Sequence, residues 1–241
     1  MHTTIRFAVS ALMALTLQPT PSSANELPTK VQIAVIDNIP SANAAQQLLE
    51  AAYQRLNIHM TTLHVPSRRA LLMADNGDLD GDLFRIDSVA EAYPNLLRVP
   101  FPLLNGKLHA VVRDPGISQL PASSAESPLK VAILRGVIIA EKTADALGME
   151  PVHAENYDQI RTLLELNRVD LAFVADIEGI TPLANDAWAG LHALPNPIVT
   201  FTLHHYLNQR HVRLAGALAD VLAQLEREGV KSGILKSVRG E

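Results

Sequence analysis

Two arginines and two aspartates stand where an α/β chain presents side chains to a ligand. Residues 65–85 (VPSRRALLMADNGDLDGDLFR) open with a strand stopped by Pro66, which delivers Ser67, Arg68 and Arg69 to a helix start. The free N–H groups of a helix N-terminus favour anions, and Arg69 adds a positive charge there. Further on, a short strand over 80–84 ends at Arg85. Residues just past the carboxyl ends of strands in open α/β sheets face the ligand crevice. A planar guanidinium in that place grips a carboxylate through two parallel hydrogen bonds. The alternative for Arg85 is a surface ion pair with Asp82 or Asp87. Asp37 closes a strand over 30–36 and favours a polar or cationic ligand, whereas Arg69 and Arg85 favour an anionic one. Asp176 holds the matching place in the second half of the chain, after a buried run at 171–174. A carboxylate there takes the ammonium group of an amino compound. Asp176 also precedes a helical pattern at 177–184, and Asp is a favoured N-cap, so the cap is its alternative role.

Other chemistries lack their residues. Neither GxGxxG nor GxxxxGK[ST] occurs, so nicotinamide and ATP sites have no phosphate loop, and GxSxG is missing too. The chain has no cysteine, which removes thiol catalysis, CxxC redox chemistry and thiolate zinc sites. It has nine histidines, among them the adjacent His204 and His205. On a strand, neighbours point to opposite faces, so these two cannot chelate one ion together. No HExxH accompanies them. No metal, no cofactor and no enzymatic activity are expected. The formal charge of −5 comes without a Lys/Arg stripe, which argues against nucleic acid as a partner.

The elements that must hold these residues alternate short β-like runs with longer helical ones. That order specifies parallel sheets with helices on their faces. In the first half, strands are expected over 30–36, 59–65, 80–84, 96–101 and 108–112. Helices are expected over 43–56 and 68–76, with a helical turn at 88–93. A turn-rich stretch at 114–128, with Pro115, Pro121 and Pro128, leads into a second run of the same kind. There strands are expected over 129–134, 151–154 and 171–174, and helices over 138–147, 157–166 and 177–184. A strand over 199–207 crosses back, and a helix over 212–228 carries the stripe Leu214, Leu218, Val221, Leu222 and Leu225. The expected architecture is two lobes with a hinge and a central cleft, where small molecules bind. Lobe 1 takes 25–110 plus 199–241, and lobe 2 takes 111–198. Residues 1–24 read as a signal peptide. Arg6 precedes the apolar run FAVSALMALTL, and Ser22-Ser23-Ala24 is a small-x-small cleavage site. Cleavage there leaves 19 Lys+Arg against 25 Asp+Glu, a charge of −6. Such a chain is exported to the periplasm.

With its signal peptide, AAYQRLNIHMTTLHVPSRRALLMADNGDLDGDLFR, VAILRGVIIAEKTADALGM and NRVDLAFVAD, the chain resembles the extracellular solute-binding proteins of the polar amino acid type. These are periplasmic components of ABC importers. The resemblance implies a two-lobed hinge-bending fold that closes on a small solute, an amino acid or related carboxylate, and signals occupancy to a membrane permease. The protein would act as a monomer. NRVDLAFVAD is similar to the family's GRxDAxxxD run, whose final Asp holds the ligand's α-amino group, a role the resemblance assigns to Asp176. Arg85 stands nearest to the family's carboxylate-binding Arg, as in the branch reading GxLDGxxxR. Gly136 and Val137 occupy the turn where relatives present Gly-Thr and backbone N–H groups to the carboxylate. Thr is replaced here, so only the backbone contribution carries over. Relatives also open their first βα turn with a Tyr/Phe-Pro-Pro-Phe element. This chain has Asp37-Asn38-Ile39-Pro40-Ser41 and no ring. Two alternatives share the fold: a sensory module reporting to a membrane signalling protein, and a dehydratase using a cleft carboxylate such as Asp37 or Asp176 as acid or base.

Overall fold

In the computed structural model, residues 27–241 are described, and the expected signal peptide over 1–24 lies outside them. Apolar runs bounded by turn residues form the strands, and amphipathic runs form the helices. The first half contains β1 (Lys30–Val35), α1 (Ala42–Arg55), β2 (His59–His64), α2 (Ser67–Asn76), β3 (Gly81–Arg85) and β4 (Leu96–Arg98). It continues with β5 (Leu104–Val112), β6 (Lys130–Leu134), α3 (Ile138–Ala146), β7 (Glu150–Ala154), α4 (Tyr157–Glu165) and β8 (Leu171–Ile177). The chain closes with β9 (His192–Ala193), β10 (Val199–Asn208), α5 (Val212–Arg227) and α6 (Val230–Arg239). Gly77 ends α2 in the left-handed conformation at φ 82°, and the Asn156 side chain caps α4 by accepting the Gln159 N–H.

The strands follow the order β2-β1-β3-β10-β5-β8-β6-β7, with β4 beside β10 and β9 beside β5. The two ends of this path have the same construction. β1 pairs parallel with β2 and β3, and β3 meets β10 antiparallel. Likewise β6 pairs parallel with β7 and β8, and β8 meets β5 antiparallel. β10 joins the halves. Its first part, Val199 to Leu203, pairs with β5, and its second part pairs with β3 and β4, after a register shift between His204 and Tyr206.

Each half has its own core. The larger core packs α1, α5 and α6 on the first sheet around Ile33, Leu49, Tyr53 and Leu207. In α5 the stripe Leu214, Leu218, Leu222 and Leu225 is at most 1% exposed, and each such leucine contributes roughly 1.5–3 kcal/mol relative to exposure. The second sheet buries Leu108, Ile133 and Phe173 on one face and Ala132, Leu164 and Trp188 on the other. Among the described residues no helix is long and apolar enough to cross a membrane.

Four expectations are corrected. The helix expected at 177–184 does not form; β8 runs on to Ile177, and only a 3-10 turn, Pro182–Ala184, follows. Gly179 at φ 86° and Pro182 break that run. The helical turn at 88–93 shrinks to a 3-10 turn, Asp87–Val89. The strand expected over 108–112 begins four residues earlier, at Leu104. The sequence reading also left α6 unassigned.

Candidate functional site

β3 ends at Arg85, a charged residue only 4% exposed. Its guanidinium donates from Nε and Nη2 to the two carboxylate oxygens of Asp82, at 2.9 and 2.7 Å. Nη1 donates to Ser67 Oγ at 2.7 Å and Nη2 also to the Ser67 carbonyl at 3.2 Å. Four of the five N–H groups of a guanidinium are thereby used, leaving one on Nη1. Burial raises the Asp82 carboxyl pKa above its usual range, and the adjacent Arg85 charge opposes that rise. The Asp82 partner foreseen as a surface pair is real, but the pair is internal. Removing Arg85 would strand the Asp82 charge, so this arginine supports the fold as well as lining a cavity.

That cavity, of about 70 Å³, lies on the seam between the two halves. From the first half it is lined by Ile36, Ile39, Ser41, Phe84 and Arg85. From the second it is lined by Gly136, Val137, Ile138, Tyr157, Ala175 and Ile177. The halves touch beside it. Ser67 Oγ donates to the Gly136 carbonyl at 3.0 Å, and Asn38 Nδ2 donates to the Glu155 carbonyl at 3.3 Å. Gly136 sits at φ 83°, and a Cβ on it would lie 2.5 Å from Cβ of Ser67, so only glycine allows this approach. A chain of polar contacts thus runs Asp82–Arg85–Ser67–Gly136 across the seam. Ser67 is the first residue of α2, one past the N-cap Pro66, and its hydroxyl is given to Arg85 and Gly136.

Of the residues singled out in the sequence, Arg85, Gly136 and Val137 come together at this cavity. Asp37 does not line it. It is exposed at the outer mouth, its carboxylate 2.9 Å from Nδ1 of His64, in a groove of about 610 Å³ that also contains Arg68, Arg135 and Glu155. Arg69 is exposed on α2 and lines neither space. Asp176 faces away. It accepts the Gly179 N–H at 2.7 Å and lines a separate groove with Lys107 and Glu178. The reason is register. Along β8, Ala175 and Ile177 turn into the cavity and Asp176 turns out, since one residue along a strand changes the face. Counted from Asn167, a nine-residue GRxDAxxxD run ends at Ala175, so the position that holds Asp in that run is alanine here.

Sequence reasoning placed Ser67 only at a helix start and gave Ser41 and Tyr157 no role in the site. Ser41 is 1% exposed and lines the cavity, and its Oγ has no hydrogen-bond partner among the described residues. Tyr157 begins α4; its hydroxyl oxygen accepts the Ala175 N–H at 3.4 Å, and burial pushes its pKa to about 12. His204 and His205 go to different partners, as the alternation of a strand requires. His205 Nδ1 lies 2.8 Å from the Asp82 carbonyl, and His204 Nδ1 lies 3.1 Å from that of Phe101.

No family model matches the chain. An uncharacterized protein of Shewanella oneidensis is 27% identical over 190 residues, covering 77% of this chain and 72% of its own length. Among solved structures, the amino acid ABC transporter substrate-binding protein AbpA from Streptococcus pneumoniae, bound to L-arginine, aligns with a TM-score of 0.69 at 14% identity, over 88% of this chain and 95% of that one. The GluR0 ligand-binding core from Nostoc punctiforme, in complex with L-glutamate, aligns at 0.70 and 14%, over 87% and 98%. An ancestral amino-acid-binding protein, a precursor of cyclohexadienyl dehydratase, aligns at 0.66 and 12%, over 87% and 95%. The repeated sheets, the strand shared between them and these alignments agree: the chain has the two-lobed periplasmic binding protein fold.

Proposed function

We propose that this protein is a periplasmic solute-binding protein that closes its two lobes on a small organic solute, an amino acid or related carboxylate, and delivers it to the permease of an ABC importer. The observation that carries the reading is the cavity on the seam, lined from both lobes. Such a site exists only when the lobes are together, so occupancy and closure are one equilibrium. The structural relatives bound to L-arginine and L-glutamate support a solute of this class. A binding role is favoured over the dehydratase alternative because the two carboxylates that reading would use, Asp37 and Asp176, do not line the cavity, and acid–base chemistry needs its group within reach of the substrate. We place the lobe crossings at Leu103–Leu104 and at Leu203–His204, where β5 starts and where β10 changes partners. This is several residues from the boundaries expected at 110 and 199.

The test is a thermal-shift screen against amino acids, polyamines and small carboxylic acids, followed by small-angle scattering with any hit. A ligand at a hundred times its Kd adds about 2.7 kcal/mol to apparent stability. The expected outcome is a raised melting temperature and a smaller radius of gyration with the same compound. Silence across the panel, or a hit that leaves the particle's dimensions unchanged, refutes capture by closure.

A further inference from the structure

The seam cavity is built for a solute with one acceptor end and an apolar body. Its walls are mostly hydrocarbon, supplied by Ile36, Ile39, Phe84, Ile86, Ile177 and Leu203 among others. The polar atoms it does hold are mainly donors. Ser41 Oγ is buried there without a partner, although Ser41 occupies the N-cap position of α1, where a serine ordinarily caps the helix with its side chain. A buried hydroxyl that serves neither the helix nor a neighbour is costly unless something else takes the bond. Arg85 keeps one N–H on Nη1. Ile138 and Ile139, the first two residues of α3, both line the cavity. Their N–H groups have no partner among the described residues, as the geometry of a helix start demands.

The missing group is equally informative. The described lining contains no carboxylate. Asp82 is saturated by Arg85, Asp176 faces the opposite side of β8, and the position facing in is Ala175. An α-ammonium enclosed here would lose its water and find no anion. A primary amide would carry two donors towards the helix-start N–H groups and the guanidinium, which can only donate. A carboxylate, accepting through both oxygens, suits Ser41, Arg85 and the start of α3 together. For size, about 70 Å³ at roughly 10–15 Å³ per water-sized group holds roughly five to seven such groups.

We infer that the solute bound at this seam is a short aliphatic monocarboxylate without an α-ammonium group, its carboxylate held by Ser41, the free Nη1 hydrogen of Arg85 and the N–H groups that open α3. This rests on the solute-binding reading above and narrows its ligand.

Three compounds with one carbon skeleton test it by calorimetric titration of the purified, exhaustively dialysed protein: 3-methylbutanoate, L-valine (its 2-amino derivative) and 3-methylbutanamide. L-arginine and L-glutamate complete the panel. The expected order places 3-methylbutanoate tightest, L-valine at least a hundredfold weaker and the amide at least tenfold weaker. Ser41→Ala should weaken 3-methylbutanoate at least tenfold while the melting temperature of the empty protein is unchanged or slightly higher, because the unpartnered hydroxyl is gone. L-valine, L-arginine or L-glutamate binding as tightly as 3-methylbutanoate would overturn the ligand class and leave the solute-binding reading standing. Equal affinity of the amide would overturn the carboxylate, and full affinity in Ser41→Ala would overturn the contact. No heat from any of the five would overturn the ligand class, and a silent thermal-shift panel besides would bring down solute binding itself.

Discussion

His205 is wholly buried on β10, and its hydrogen bonds fix its protonation. Nδ1 faces the carbonyls of Asp82 and Leu83 at 2.8 and 3.1 Å, so it carries the proton, and Nε2 accepts from the Tyr53 hydroxyl at 2.8 Å. Burial lowers the pKa of this imidazole to about 4, against 6.5 for a free histidine. Below pH 6.5 the unfolded chain binds this proton and the native one does not, so stability falls as pH drops from 6.5 towards 4. The loss is about 3 kcal/mol by the end of that window. Urea unfolding across pH 4–7 should show the slope, and His205→Gln, which does not titrate, should flatten it. A slope unchanged in the variant would assign it elsewhere. At this scale the sequence was legible only in part. Arg85 was visible because it breaks an apolar strand with a charge. Asp176 was misplaced because a one-residue miscount along a strand reverses the face. The site roles of Ser41 and Ser67 were hidden because a serine at a helix start has an ordinary capping role, and only the fold shows Ser41 without a cap bond and Ser67 bonded across to Gly136.

The turn between β6 and α3 decides whether the lobes can meet. Gly136 there combines φ 83° with contact against Ser67, and both conditions exclude a side chain. Gly136→Ala should hold the lobes apart, weaken any solute that needs closure by at least tenfold and enlarge the particle in scattering with ligand present. Undiminished affinity would mean that closure does not pass through this contact. α6 reaches the segment that follows β8. Lys231 Nζ lies 3.0 Å from the Glu178 carboxylate, and Arg239 Nη1 donates to the Glu178 carbonyl at 2.7 Å. The strands and long helices were readable from their apolar periods, because burial on one face leaves that period in the sequence. α6 was not, since VKSGILKSVR carries a glycine and two serines and offers poor intrinsic helix propensity. Its helix depends on packing Val230, Ile234 and Leu235 against the larger core.

Over the whole molecule, the two-lobed plan was legible from the repeated α/β order, and the point where β10 changes partners was not. β5 and β10 mix apolar with polar residues along their whole length, and nothing local in them marks where a partner changes from one sheet to the other. That shared strand also sets the order in which the molecule can be assembled. β5 to β9 are contiguous in the chain, so the second sheet has all its strands except β10 once residue 193 is made. The first sheet then has β1, β2 and β3, but β4 pairs only with β10, and α5 and α6 are still to come. Pulse-labelled hydrogen exchange during refolding should protect β6 and β8 before β3 and β4, and simultaneous protection would refute this order. A chain built this way finishes its inner lobe while the outer one waits on its last residues. The hydrophobic face of α1 therefore stays exposed longest, and it is the surface a chaperone would have most reason to hold.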